Sequence, residues 1–269
     1  MSTRCTSIVL ATCALVVTAT IADAADTASP EQKGRGIAEE ADRRDEGFGD
    51  SVVALTMTLS NAEGRTRTRR LTWRTLERRE ENEGDKSLVV FHEPRDIEGT
   101  AFLTFTHIGS ADDQWLYLPS LKRVKRISSA NKSSAFVGSE FSYEDLLSDE
   151  VEKFDYRWLR DEPCGELLCF VLERRPRYED SGYARQVLWV DQGEYRTMRI
   201  DFFDLEERHL KTLTFEDYRR YRERYWRAHR MQMDNRLTEK RTLLEFDPFE
   251  FGSGLTERDF DPGALTRLR

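Results

Sequence analysis

Cysteine, proline and long apolar runs are scarce in this sequence, and each scarcity narrows the possible folds. The 269 residues include only four cysteines and seven prolines, and hydrophobic residues make up 38% of the chain against 34% for charged residues. Beyond the N-terminus, no apolar stretch reaches the roughly 20 residues that a membrane-spanning helix needs. The sequence therefore predicts a chain that does not span a membrane.

An excess of positive charge is also missing, because the formal net charge is −8 at pH 7. A basic domain is the usual electrostatic signature of nucleic-acid binding, so we expect no nucleic-acid partner. Low apolar content can indicate disorder, but the apolar residues here are patterned and aromatic residues make up 11% of the chain. The composition therefore predicts a folded domain.

The usual signatures of catalysis and metal binding are absent as well. The histidines are scattered, without an H-E-x-x-H or other metal-ligand spacing; they are His92, His107, His209 and His229. An S-x-x-K sequence at 129–132 falls in a loop and lacks the S-D-N and K-T-G elements that accompany it in penicillin-interacting serine enzymes. We therefore predict neither an enzyme nor a metal or cofactor site.

The N-terminus has the features of a secretory signal peptide. A short positive region at 1–4 precedes an apolar region at 8–21, and an A-x-A cleavage site ends at Ala24. We expect cleavage after Ala24, which leaves 25–269 as an exported protein. A lipoprotein anchored in the outer membrane through Cys13 is the alternative, but threonine directly before that cysteine fits a lipobox poorly.

Removal of this peptide would leave Cys164 and Cys169 as the only cysteines. An even number of cysteines in an exported protein indicates a disulfide. Five extended residues would separate the two Cα atoms by roughly 17 Å, whereas a disulfide needs less than about 7 Å. The chain must double back between the two cysteines, which places the bridge in a hairpin loop. A redox pair is the alternative, although the spacing is C-x4-C rather than C-x-x-C.

The rest of the chain is patterned almost entirely as strands. One helix is predicted from Ser29, a candidate N-cap, to about Arg44, and alternating apolar and polar residues follow. Neither alternating helices nor a linker rich in proline, glycine and serine is present. We therefore expect one mainly β domain over 25–269: a single antiparallel sheet of about 11 strands curved into an open half-barrel, because sheets of that width must curl or split.

The segment 112–147 carries the most specific motif in the chain. It reads W-x-Y-x-P-x-x-x-R-V-K-R-I, then a polar loop, then F-x-G-S-E-F-S-Y-E-D-L. This order resembles the periplasmic "outer membrane lipoprotein-sorting protein" family, a LolA-like group. Further matches are EPRDIEGTA at 93–101, VLWVD at 187–191, MQMDN at 231–235 and GLTERDF at 254–260. The resemblance extends from about residue 37 to residue 268, although the insert between the two cysteines departs from the pattern.

This resemblance implies a fold and a class of function. Family members have an open half-barrel, with short helices as a lid over its concave face. The implied function is a periplasmic carrier or chaperone for a lipid or lipid-modified ligand, working with an RND-type envelope transporter in outer-membrane biogenesis. The alternative is an envelope sensor or adaptor that binds lipoproteins and regulates a membrane partner.

Candidate ligand-binding residues follow from the motif and from strand alternation. A hairpin over 114–127 would place Trp115 and Tyr117 on one face and Leu116 and Leu118 on the other. A short helix over 143–147, capped by Ser142, would form part of the lid. The predicted ligand-binding residues are Trp115, Leu116, Tyr117, Phe136, Phe141, Tyr143, Leu146 and Leu147. Filling of the sheet's core is the alternative role for these side chains.

A basic run on the returning arm of the hairpin is the candidate contact for lipid headgroups or an acidic partner. It consists of Lys122, Arg123, Lys125 and Arg126. Its alternative role is to keep the edge of the sheet solvated.

Overall fold

The computed structural model describes residues 28–267 except 79 and 81. The predicted signal peptide at 1–24, its cleavage site and Cys13 lie outside these residues. No helix in the described part of the chain is long and apolar enough to cross a membrane. The single α-helix, α1, spans Pro30–Asp45 and begins with a reciprocal capping box between Ser29 and Gln32, as the sequence predicts.

All strands of the described chain belong to one sheet of 14 strands, rather than about 11. They are β1 Asp50–Ser60, β2 Thr66–Leu76, β3 Glu83–Glu93, β4 Ala101–His107, β5 Asp113–Leu118, β6 Arg123–Arg126, β7 Phe154–Cys164, β8 Leu167–Pro176, β9 Arg185–Asp191, β10 Thr197–Phe203, β11 His209–Tyr221, β12 Tyr225–Asn235, β13 Arg241–Phe246 and β14 Glu250–Phe251. The spatial order is β6-β5-β4-β3-β2-β1-β13-β12-β11-β10-β9-β8-β7, and β14 pairs with β1. The two-residue strand β14 was not predicted, because its pairing with β1 rather than a clear periodicity defines it.

The sheet is not closed, and residues 127–153 connect its two edge strands, β6 and β7. We call these residues the crossing segment. Its apolar side chains pack into one cluster with residues from strands in both halves of the sheet, including Leu55, Phe102 and Leu213. The crossing segment therefore runs over the concave face and fills part of it.

The convex face is covered by the C-terminal residues. Two 3-10 helices, Glu257–Phe260 and Pro262–Arg267, place Phe260 and Leu265 against the outward side chains of β3, β4 and β5. The strand β3 is consequently buried on both faces, since Val89 and Phe91 belong to the concave cluster while Leu88 and Val90 belong to the convex one.

The two ends of the sheet carry different connections. Because all neighbouring strands are antiparallel, the β1–β2, β3–β4, β5–β6, β10–β11 and β12–β13 turns lie at one end. The β7–β8, β9–β10 and β11–β12 turns lie at the other end. The predicted disulfide between Cys164 and Cys169 is present in the β7–β8 hairpin, with a Cα–Cα distance of 5.9 Å, so the predicted reversal of the chain is confirmed.

The helix α1 lies against the edge strand β7 through a close backbone approach at Gly34. A Cβ atom at this position would lie 2.6 Å from the backbone nitrogen of Trp158, which is closer than real Cβ contacts allow. The neighbouring Gly36 faces open space, with no atom within 4 Å of its would-be Cβ.

This contrast predicts opposite effects of the same substitution at the two glycines. We expect Gly34→Ala to displace α1 and to lower the free energy of unfolding by about 1–3 kcal/mol. The matched control, Gly36→Ala, should raise that free energy by about 0.5–1 kcal/mol, because alanine favours helix and removes backbone entropy. Urea unfolding of both variants measures the difference, and equal effects would contradict the packing at Gly34.

Candidate functional site

Three adjoining cavities lie under α1 and the crossing segment. Their volumes are ≈ 370, ≈ 320 and ≈ 230 Å³, and all three share Asp149 and Phe215 in their walls. We call them the apolar, mixed and inner cavities, respectively. The first two extend to the end of the sheet that carries the β9–β10 and β11–β12 turns, since Thr197 and Trp226 lie in their walls. These two cavities are therefore unfilled parts of the concave face near this end.

The apolar cavity has mainly hydrophobic walls. It lies over β1, β2, β12 and β13, and its large apolar side chains are Phe48, Val53, Trp73, Leu146, Leu147, Phe215, Trp226, Met231, Phe246 and Phe249. Pockets of several hundred Å³ with apolar walls and few polar groups are typical ligand sites. This composition suits a hydrocarbon chain.

The mixed cavity lies directly beneath α1 and combines apolar and charged groups. Leu172, Leu188 and Val190 line it together with several arginines. Arg174 bonds to Asp149 at 2.5 Å and Arg196 bonds to Asp191 at 2.7 Å, whereas Arg224 pairs with no carboxylate of the described residues. An amphiphilic molecule therefore matches the adjoining cavities better than a purely apolar one.

The crossing segment is fixed to the sheet by a buried ion pair. The Lys211 ammonium lies 2.5 Å from the Asp145 carboxylate, and the two side chains are only 5% and 4% exposed. Asp145 also accepts a hydrogen bond from the Tyr183 hydroxyl at 2.7 Å, and Lys211 donates to the backbone carbonyl of Glu140 at 3.1 Å. The Y-E-D-L part of the motif therefore anchors the segment to the sheet.

The adjacent Glu144 makes a second set of contacts, to the β8–β9 connection. Its carboxylate accepts hydrogen bonds from the Tyr178 hydroxyl at 2.8 Å, the Ser181 hydroxyl at 2.5 Å and the Gly182 backbone amide at 2.9 Å. Only a single 3-10 turn, Glu144–Leu146, forms where a helix over 143–147 was predicted. The side chains of Glu144 and Asp145 bind to other elements of the fold, and these contacts replace the regular hydrogen bonds of a helix.

Removal of one member of the buried pair should strongly destabilise the fold. We expect Lys211→Met to lower the free energy of unfolding by about 3 kcal/mol, because it leaves the Asp145 charge buried without its main partner. As a control, Arg219→Gln breaks the Arg219–Asp217 pair, whose side chains are 51% and 53% exposed, and should cost less than about 1 kcal/mol. Urea unfolding at pH 7 compares them, and a small loss for Lys211→Met would argue against this anchor.

Two carboxyl groups meet where the crossing segment approaches β3. The Asp85 amide donates to Ser148 Oγ at 3.2 Å, and Ser148 Oγ donates to Glu150 Oε1 at 2.6 Å. Burial, together with the negative charge of Glu150, raises the pKa of Asp85 from 3.8 to about 7. Burial also raises the pKa of Glu150. Asp85 lies in the wall of the apolar cavity, so its protonation state affects this wall near neutral pH.

The raised pKa makes stability depend on pH in a defined direction. The folded state holds the Asp85 proton more tightly than the unfolded state does. Proton binding at Asp85 therefore stabilises the fold fully below about pH 4, and this stabilisation is lost as the pH rises through about 7. We expect Asp85→Asn to raise the melting temperature at pH 8 more than at pH 5. The matched control is Asp155→Asn, whose carboxylate is 77% exposed. A gain from Asp85→Asn that does not change with pH would contradict the assignment.

Most of the predicted ligand-binding residues lie together on the concave side. Leu116, Phe136, Phe141, Tyr143 and Leu146 are all at most 8% exposed and share the main core cluster. The ring of Phe136 lies 5.2 Å from that of Phe102 and 5.7 Å from that of Tyr143. Leu147 differs from them, because it is only partly buried and lines both the apolar and the inner cavity.

Trp115 and Tyr117 lie on the other side of the sheet. They pack in the convex cluster with Phe260 and Leu265. The sheet separates them from all three cavities, because alternate residues of β5 point to opposite faces and Leu116 occupies the concave one. We therefore do not include these two residues in the ligand surface.

The predicted basic run is exposed on the edge strand β6. All four residues of that strand are exposed, and Lys122 lies in the preceding turn. Arg126 pairs with Asp113. The other three cations of the run make no ion pair with any described residue.

Sequence reasoning missed most of the cavity wall. Met231, Phe246 and Arg174 come from strands in the second half of the chain, which the motif does not cover. Trp226, from the start of β12, lines two cavities. Strand alternation around Phe215 could have pointed to this surface, but only the curvature of the sheet brings it opposite Leu147.

Comparison with solved structures gives a clear match over the whole domain. A domain assigned to an outer membrane lipoprotein-sorting protein from Vibrio parahaemolyticus is 49% identical, with a TM-score of 0.85, over 88% of this chain and 100% of the other. The chain belongs to this lipoprotein-sorting protein family. A family model described as "Uncharacterized protein"-like also matches residues 83–267. A search of curated proteins finds no match.

Two further structures place the lipoprotein-sorting family in a wider fold group. A DUF1329 family protein from Desulfovibrio piger is 28% identical, with a TM-score of 0.84, over 88% of this chain and 100% of the other. A LolA superfamily protein from Nitrosomonas europaea is 22% identical, with a TM-score of 0.68, over 86% of this chain and 98% of the other. The last match shows that the fold is LolA-like, which confirms the predicted fold class.

Proposed function

We propose that this protein is a periplasmic carrier that shields the acyl chain of a lipid or lipid-modified ligand in the three cavities. The observation that carries the proposal is the adjoining apolar and mixed cavities of ≈ 370 and ≈ 320 Å³ beneath α1. In this proposal the chain of the ligand lies between Leu147 and Met231, and its polar end lies near the arginines of the mixed cavity.

Membership in the lipoprotein-sorting family supports this choice over catalysis. Among the described residues, no group of three or more histidine, cysteine or acidic side chains could hold a metal ion. The acidic residues of the most specific motif are used for anchoring, as Glu144 and Asp145 show. We therefore propose a binding protein that acts with an envelope transporter of the RND type.

The helix α1 is the part of the cover that we propose opens for ligand transfer. Its contacts near the mixed cavity are mostly polar and at the surface: Arg44 donates to the carbonyl of Gly193 at 2.8 Å, and Arg227 pairs with Asp45. Exposed pairs of this kind contribute less than about 1 kcal/mol each. Of the apolar side chains of α1, only Ile37 is buried, so α1 separates from the sheet more easily than the crossing segment does.

Alanine substitutions should separate the cavity wall from the core. We expect Leu147→Ala to weaken binding of a fluorescent fatty-acyl probe several-fold while costing about 1 kcal/mol or less of stability, because it lies at an open cavity. Phe136→Ala removes a side chain that is 1% exposed and should cost about 3–5 kcal/mol. The surface control Leu159→Ala should change neither quantity, since Leu159 is 36% exposed and lines none of the cavities described here.

Probe titration and thermal unfolding of the three variants provide the test, with native mass spectrometry of the protein purified from its own periplasm. A co-purified lipid that the probe displaces is the expected result. If the wild type neither binds the probe nor retains a lipid, the carrier proposal is wrong. A stable complex with a membrane regulator, without lipid exchange, would instead favour a sensor or adaptor.

A further inference from the structure

Three of the strongly exposed leucines of the described chain lie at one end of the sheet. Leu121 is 62% exposed in the β5–β6 turn, Leu205 is 66% exposed in the β10–β11 turn, and Leu237 is 50% exposed in the β12–β13 turn. We call this end the leucine end. Leaving a large apolar side chain in water is unfavourable, and three hairpin tips at this end each expose one.

Cations surround the first of these leucines. Lys122 and Arg123 follow Leu121 directly, and Lys125 lies on the same edge strand; these three make no ion pair with any described residue. Asp96 and Glu98 lie in the neighbouring β3–β4 turn, together with Arg95. Positive charge is therefore concentrated at this hairpin, although the whole chain carries a formal net charge of −8.

The β12–β13 turn, which carries Leu237, has a similar setting. A cleft of ≈ 500 Å³ opens beside the β12–β13 turn, with Arg67 and Lys240 in its wall and Leu59 in contact with the main core. Neither cation has an ion-pair partner within the described residues. Glu140 and Arg241 also line the cleft, and Arg241 pairs with Asp234 at 2.5 Å.

The turn that carries Leu205 is acidic, but its charges are compensated. Asp204 and Glu206 pair with Arg208 at 2.7 and 3.3 Å, and Glu207 pairs with Arg185 at 2.6 Å. This turn therefore adds an apolar tip with little free negative charge.

We propose that the leucine end docks onto the surface of an anionic phospholipid bilayer. Leucines at three separate hairpin tips do not form one groove, so they fit a penetrable lipid surface better than a protein pocket. The lysines and arginines beside them would contact lipid phosphates, in the pattern of proteins that combine interfacial apolar groups with basic residues.

This orientation would leave the cavity end free. The mixed cavity and the C-terminal end of α1 lie at the opposite end of the sheet, where Thr197 and Trp226 line the cavity wall. A docked molecule would therefore present α1 to the periplasm and to any partner that receives the ligand. Docking does not require an occupied cavity, so it can succeed or fail independently of the carrier function.

Vesicle co-sedimentation of the full mature protein provides the test, with phosphatidylcholine vesicles that contain or lack phosphatidylglycerol. We expect binding only to the anionic vesicles, and weaker binding at high salt. Leu121→Ser with Leu237→Ser should reduce the partition coefficient roughly tenfold. The matched control is Leu168→Ser, because Leu168 is also 50% exposed but lies at the opposite end.

A second pair of variants tests the charges. Lys122→Gln, Arg123→Gln and Lys125→Gln together should reduce the partition coefficient at least roughly tenfold. Arg157→Gln with Arg160→Gln, on the other edge strand, should leave it unchanged. Circular dichroism checks that each variant is folded. We expect all of them to be folded, because every substituted side chain is exposed.

Several outcomes would overturn the proposal. They are no binding to anionic vesicles, equal binding to vesicles without phosphatidylglycerol, or an equal loss of vesicle binding in the control variants. If Leu121→Ser with Leu237→Ser lost binding to an acidic protein but kept vesicle binding, the leucine end would be a protein interface instead.

Discussion

The structure depends on how a single-layer sheet covers its apolar concave face. A sandwich buries such a face against a second sheet, whereas this chain uses one helix and an irregular segment. The crossing segment can do this because Asp145 and Lys211 hold it by a buried ion pair, with Glu144 bound to the β8–β9 connection. Since an isolated buried charge is costly, each member of the pair keeps the other in place. The rest of the concave face remains as cavities.

Two parts of the cover therefore differ in how firmly they are held. The crossing segment combines buried aromatic packing with charge-assisted hydrogen bonds, as at Phe136 and Asp145. In contrast, α1 buries only Gly34 and Ile37 and otherwise depends largely on surface pairs. A carrier needs a rigid wall and a movable cover, and we propose that the crossing segment and α1 have these two roles. The carboxyl of Asp85, with its pKa near 7, lies where the crossing segment meets β3 and links the stability of that junction to pH.

The two ends of the sheet are chemically different as well. The end near α1 contains the cavity openings and arginines that are already paired, such as Arg196 and Arg227. The leucine end contains unpaired cations and exposed leucines on short turns. A molecule with two such different ends can contact a surface through one end while it exchanges a ligand at the other. That arrangement is consistent with a protein that moves cargo between two sites.

The sequence by itself determined the local elements. Alternating apolar residues indicated the strands, Ser29 and Pro30 marked the start of α1, and the five-residue spacing of Cys164 and Cys169 required a reversal of the chain. These features depend on neighbours along the chain, so their physical causes are visible in the sequence. The motif at 112–147 also indicated the family and hence the half-barrel.

Only the tertiary structure decided which face is inward and what covers it. A period of two specifies two faces without saying which is concave, so Trp115 and Leu116 were equally good candidates until curvature assigned Leu116 to the core and Trp115 to the convex side. The anchor between Asp145 and Lys211 joins residues 66 positions apart, and the cavity wall combines Trp73 with Met231. Contacts between such distant residues arise from strand order and sheet curvature, and no local pattern in the sequence encodes them.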